Sequence, residues 1–228
     1  AMLDILVNNH WERPIYFTKG MPAEQFNGLD NYLYNEGLVL RLLPLVKDST
    51  QNKELINTPV LYQNVMNKFL WGNLKNASYL DTESQTHISI LNNIFSNTIS
   101  GLISMGRKEE AKKVVARYFE VMPEKLYGIR SSASLYFMVE NLYLLGEKQR
   151  ANELLRRSSA NLQKEISYLA DVSDSKKRVI GEQDVQLGMS FLNQMARLTA
   201  ANGEAKFSTE LNNQFNTLAA RFSGHFSP

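Results

Sequence analysis

Side chains able to do chemistry are thinly spread along this chain. Trp11-Glu12-Arg13-Pro14 sets an indole, a carboxylate, a guanidinium and an imino acid side by side. No helical or strand period explains that run. It could touch a ligand directly or hold a buried polar network where a helix meets a strand, and the structural role is the reading expected. Glu109-Glu110 beside Lys112-Lys113 suggests an acid–base set. Acidic residues leading basic ones in the first turns of a helix is, however, the order that the macrodipole and i,i+3 pairing favour on a solvated face. His10, His87 and His225 stand far apart and none belongs to an H-x3-H pair, whereas metal sites need converging ligands. The glycines form neither G-x-G-x-x-G nor a P-loop, and no serine lies in G-x-S-x-G. With no cysteine, thiol catalysis, disulfides and thiolate metal sites are excluded. No catalytic, cofactor-binding or metal-ligating residue is therefore assigned.

Aromatic side chains are the remaining candidates. Tyr118, Tyr127, Tyr136 and Tyr143 gather in one region, where they could line a groove for a peptide or glycan. Packing between helices is the plainer expectation. The residues carried forward as structural or interaction candidates are Trp11, Glu12, Arg13, Pro14, Tyr118, Tyr136 and Tyr143, with Trp11 expected to be buried and Pro14 to start a strand. Trp71 is expected at a helix end capped by Gly72.

The elements that position these residues follow from pattern. The chain has 228 residues, 25 basic against 23 acidic side chains. That balance gives no electrostatic case for nucleic acid, and the length is enough to bury a core without metal or disulfide. No run approaches the roughly 18 apolar residues of a membrane span, and residues 1 to 10 lack the plan of a signal peptide. Ala1 ahead of Met2 resembles a processing scar, so a soluble piece of a longer protein is expected. Residues 1–50 read as a small α/β element: a short helix at Leu3 to Asn9, and two strands, Pro14 to Thr18 and Gly37 to Leu45. Between the strands lies a turn-rich link holding Gly20, Pro22, Asn27, Gly28, Asp30 and Asn31. Lys47 to Asn57 reads as a surface loop. From 58 to 228 the expected structure is helical, with residues 170–184 as a polar connecting loop, all forming one compact body. Asp81-Thr82-Glu83-Ser84 offers a cap for a helix over 83–105. A second helix, Lys108 to Met122, places Ala111, Val114, Val115, Tyr118 and Met122 on one face before Pro123 stops it.

An internal repeat organises the helical part. Gly106-Arg-Lys-Glu-Glu-Ala111 and Gly146-Glu-Lys-Gln-Arg-Ala151 share a glycine, a charged turn and an alanine five residues on. Each glycine suits a helix C-cap at positive φ, and each alanine lets an antiparallel partner approach. GRKEEAKKVVARYFEVMP, residues 106 to 123, resembles the second helix of a tetratricopeptide repeat. Ile99 and Val139 occupy places where that repeat favours small residues, and Gln163 stands where its proline would close the second unit. A third unit is expected to pair Val185 to Ala201 with Phe207 to Phe222. A longer connection around Tyr127 to Ser132 makes the expected stack irregular. The fold expected is thus mainly α, with a small two-stranded α+β element packed on an irregular stack of helical hairpins.

LDILVNNHWERPIYF, followed by DNYLYNEGLVLRLLPL and VLYQNVMNKFLWGN, resembles the C-terminal portion of a bacterial membrane-protein family. The multi-spanning half of that family resembles protein O-mannosyltransferases. The likeness covers roughly residues 2 to 75 and weakens beyond. It implies a non-catalytic accessory domain on the extracytoplasmic, periplasmic face of the inner membrane. The catalytic carboxylate and the glycosyltransferase activity would lie in the membrane half, so no catalytic residue carries over and no cofactor is implied. Its partners would be the membrane-embedded half of the same polypeptide and protein or peptide acceptors, with WERPIYF and GLVLRLLPL at the junction. The alternative is a free-standing helical scaffold with no membrane link.

Overall fold

A computed structural model describes residues 2–19, 21–45, 55–126, 128–171 and 182–222. The chain divides into two compact units, residues 1–70 with 104–106, and residues 71–103 with 107–228. The division at 70/71 lies beyond the expected break between 50 and 58. The fold is mainly helical, with one small sheet near the N-terminus.

In the first unit, α1 (Met2–Asn9) precedes β1 (Tyr16–Thr18), β2 (Leu33–Asn35), β3 (Val39–Leu42) and β4 (Leu55–Ile56), and α2 (Thr58–Gln63) runs into a turn of π-helix at Asn64–Lys68. The sheet order is β1-β3-β2-β4; β3 pairs antiparallel with β1 and β2, and β4 lies parallel to β2. Four strands thus stand where two were expected. The second strand is narrower than Gly37 to Leu45, and β1 begins at Tyr16 rather than Pro14. Pairing still reaches Ile15, whose carbonyl accepts from the Leu42 N–H at 2.9 Å. Alternation puts Phe17, Leu33, Leu40 and Leu42 on one face, where Phe17, Leu33 and Leu42 join Phe26 in a buried cluster supported by Leu6, Ile15 and Met21. Tyr16, Arg41 and Tyr34 occupy the other face in one cross-strand row.

The second unit contains α3 (Thr82–Ser104), α4 (Lys108–Val121), α5 (Gly128–Ala133), α6 (Tyr136–Leu144), α7 (Lys148–Asp171), α8 (Glu182–Ala201) and α9 (Ala205–Phe222). Asp81 caps α3, its carboxylate accepting from the Ser84 N–H at 2.9 Å and from the Ser84 hydroxyl at 2.9 Å. Three turns share one chemistry. Gly106, Gly146 and Gly203 have φ of 74°, 79° and 79°, a region open to glycine at little cost. The following N–H reaches back five residues each time: Arg107 to Leu102 O, Glu147 to Leu142 O and Glu204 to Thr199 O, all at 2.9 Å. This is the Schellman closure, which satisfies carbonyls that the helix end would leave unpaired. Four residues after each closure the next helix makes its first bond, from Ala111, Ala151 or Ser208, and all three are buried. The small side chain is what the close partner helix requires.

Residues 128–132, expected as part of a loop, lie in α5; Tyr127 lies outside the described residues. Of the expected loop at 170–184, residues 172–181 lie outside them too, while 170–171 end α7 and 182–184 open α8. Residues 47–54 of the expected surface loop also lie outside. Polar side chains tie the helices at fixed points: Asn141 Nδ2 donates to Ser96 O at 2.9 Å, Ser158 Oγ to Ser132 O at 3.0 Å, Asn161 Nδ2 to Gly128 O at 3.0 Å and Ser208 Oγ to Ala196 O at 2.8 Å. Each removes the cost of a buried group left unpaired.

Candidate functional site

The sequence candidates fall in separate places. Trp11, Glu12, Arg13 and Pro14 form a turn after α1, and all four side chains are exposed. Trp11 is 54% exposed, which overturns its expected burial. The reason is backbone: His10 at φ 47° and Trp11 at φ 61° sit in the left-handed region, rare for bulky residues, and so carry the indole away from the core. Two bonds hold this bend, from the Glu12 N–H to Asn9 O at 2.9 Å and from Asn9 Nδ2 to Arg13 O at 2.8 Å. Ile5 and Val7 on α1 and Tyr16 on β1 are exposed as well, while Leu6 packs inward. The first unit therefore leaves apolar and aromatic side chains exposed on α1, the turn and β1.

The tyrosines are packing residues bearing polar tips. Tyr118 is buried, meets Phe95 edge-on at 5.2 Å between ring centroids, and donates to Asn92 Oδ1 at 3.2 Å. Asn92 Nδ2 passes the chain to Ser134 Oγ at 2.8 Å, which donates to Ser131 O at 2.8 Å. Burial holds the Tyr118 hydroxyl well above its ordinary range. Tyr143 donates to Asn152, and burial, with Glu204 adding negative charge, pushes its pKa up to about 12. Tyr136 is partly buried against Phe191 at 6.0 Å, and its pKa is raised by burial and then by Glu140. Trp71 stacks on Phe95 at 5.1 Å. The Glu109–Lys112 pair, 3.1 Å apart, is an exposed i,i+3 contact, as its place in the helix implied.

A second buried polar constellation was not singled out from the sequence. It lies at the β2–β3 turn, Asn35-Glu36-Gly37. Asn35 and Glu36 are buried, Glu36 at 4% exposure. Asn35 Oδ1 accepts from the Gly37 N–H at 2.8 Å, and Glu36 Oε1 from Asn57 Nδ2 at 2.8 Å. The Glu36 carbonyl accepts from Asn64 Nδ2 at 2.9 Å. Arg41 approaches the same carboxylate at 3.6 Å and lies over the Tyr16 ring at 6.0 Å. A carboxylate this buried needs both the cation and the donors to offset its lost hydration. In the sequence Asn-Glu-Gly reads only as a turn; the one signal that could have marked it is an acidic residue between two apolar strands. Nothing in this arrangement pairs a nucleophile with a base.

Among the described residues, no group of three or more His, Asp or Glu side chains converges as metal ligands, and no helix is long and apolar enough to cross a membrane. His10 and His87 are exposed and His225 lies outside the described residues. No curated protein and no solved structure matches the chain. Residues 1–60, nearly the whole of the first unit and all of its sheet, match the family model described as TMEM260-associated domain 2.

Proposed function

We propose that this chain is a non-catalytic accessory part of a membrane glycosyltransferase of the protein O-mannosyltransferase kind, facing the extracytoplasmic side. Its first unit docks on the membrane-embedded half of the same polypeptide, and its helical unit presents protein acceptors. The observation that carries the reading is a coincidence of place. The stretch matching a TMEM260-associated domain is also the stretch where α1 and the following turn leave Ile5, Val7, Trp11 and Tyr16 exposed. An exposed indole is a common interface anchor. The resemblance of WERPIYF and its neighbours to the protein O-mannosyltransferase-related membrane family supports the same assignment. The chain's own residues then supply binding and orientation, while sugar transfer belongs to the membrane-embedded half. Assaying the isolated chain for transfer from a lipid-phosphate sugar donor tests the first part. No turnover is expected, and robust transfer would refute the proposal.

A further inference from the structure

We infer that residues 55–69 form a strap that opens and recloses as one local unit, with the Asn35-Glu36-Gly37 turn as its catch. The strap comprises β4, α2 and the π-turn, and it meets the turn at five points. The Asn57 N–H donates to Asn35 O at 3.0 Å, Asn57 Nδ2 to the Glu36 carboxylate at 2.8 Å, and Asn64 Nδ2 to the Glu36 carbonyl at 2.9 Å. The last two points are Phe69 and Leu61, packed so closely on Gly37 that a Cβ there would stand 2.8 Å from the Phe69 ring and 3.2 Å from Leu61 Cδ1. The π-turn serves this fit. Its i→i+5 bond, from the Phe69 N–H to Asn64 O at 2.8 Å, puts an amide and a ring one wide turn apart on the same hairpin, and such turns recur at functional places.

The strap carries the fully buried Leu61 and Val65, whose exposure opposes opening; two features favour separation against that cost. Its ladder with the sheet is only two residue pairs, Tyr34 with Leu55 and Asn35 with Ile56. The partners of Glu36 are also divided between the two sides: Asn57 leaves with the strap, whereas Arg41 stays on β3. Arg41 is the charged side chain facing that carboxylate, beside the Tyr16 ring. On opening, the carboxylate keeps its cation and gains water, so no buried charge is stranded. The β2–β3 hairpin keeps its own bonds, including the Glu36 N–H to Val39 O at 3.1 Å. Opening uncovers the outer edge of β2, where an unpaired ladder can accept another strand. Local openings of this kind cost less than global unfolding and define cooperative units.

Hydrogen–deuterium exchange on the whole 228-residue chain tests this. In the unaltered protein the amides of Asn57, Leu61, Asn64 and Phe69 should exchange as one class, faster than those of Glu36 and Leu42. Asn57→Ala and Asn64→Ala should each speed that class by roughly five- to tenfold and leave the hairpin amides unchanged. Equal acceleration of strap and hairpin, or a strap no faster than the hairpin in the unaltered protein, would overturn the inference. The unaltered protein alone decides it should either variant fail to fold.

Discussion

Gly188 offers a sharp test of how closely the helices of the second unit approach. It lies inside α8, and a Cβ built there would stand 2.8 Å from Ile166 Cδ1 on α7 and 3.3 Å from both Ile166 Cγ1 and Ile129 Cγ2 on α5. Two terms oppose each other in Gly188→Ala. Helix propensity favours alanine by about 1 kcal/mol, and overpacking a filled core costs about 1–3 kcal/mol. Ile166 is fully buried and Ile129 nearly so, so neither neighbour has free space to turn into. The steric term should win, with a net loss of about 1 kcal/mol. Ile166→Val deletes the 2.8 Å contact and by itself costs about 1 kcal/mol. In that background Gly188→Ala should be near neutral, since the 3.3 Å contacts to Ile166 Cγ1 and Ile129 Cγ2 remain, a coupling of about 1 kcal/mol between the sites. Urea unfolding followed by far-UV circular dichroism, with unchanged m-values, measures all four corners of the cycle. Strict additivity, or a stabilising single Gly188→Ala, would show that α8 does not approach α5 and α7 as described.

Other outcomes follow from the polar tips and caps. Tyr143, raised to about 12, and Tyr118, raised further, should stay protonated in the folded chain after exposed tyrosines have ionised. Stability from both is full below the ordinary tyrosine pKa of 10 and is lost as pH rises toward the folded values. Tyrosinate absorbance during a base titration should therefore show a late component that coincides with unfolding, and Tyr143→Phe should reduce it. Asp81 is the reverse case. The Ser84 bonds hold its carboxyl below the ordinary carboxylate range, so its contribution is present above the unfolded pKa and is lost as pH falls through the folded one. Asp81→Ala should lower stability near neutrality, whereas Asp81→Asn should keep the cap and flatten the acid limb of the stability profile.

The helices were legible because their signals are local and repeated. Ala111, Val114, Val115 and Tyr118 recur at helical spacing and are all buried. Gly106 and Gly146, 40 residues apart in sequence, mark two of the three turns, and the third hairpin, at Gly203, matches the expected pairing of 185–201 with 207–222. The sheet was harder to see because β2 and β4 have three and two residues, too short for any period. Their strand character comes from partners distant in sequence. Asn35 and Glu36 looked like turn residues, and only Asn57 and Asn64, about 20 to 30 positions on, give them a buried role. Nothing in the types of His10 and Trp11 marks a left-handed backbone, so the exposure of Trp11 could not be read from the chain. It changes the standing of WERP from a buried junction to a displayed surface.

Binding between this chain and the membrane-embedded half, with and without the α1 surface, is the most direct test of the proposed role. The 228-residue chain and its Trp11→Ala and Val7→Ser variants would be titrated onto that half in nanodiscs. Tight binding by the unaltered chain is expected, with a loss of about 30-fold for Trp11→Ala if the indole is an anchor residue. Both variants should keep their folded circular dichroism, since Trp11 and Val7 are exposed at 54% and 72%. Absence of binding, or identical binding by both variants, would contradict the account.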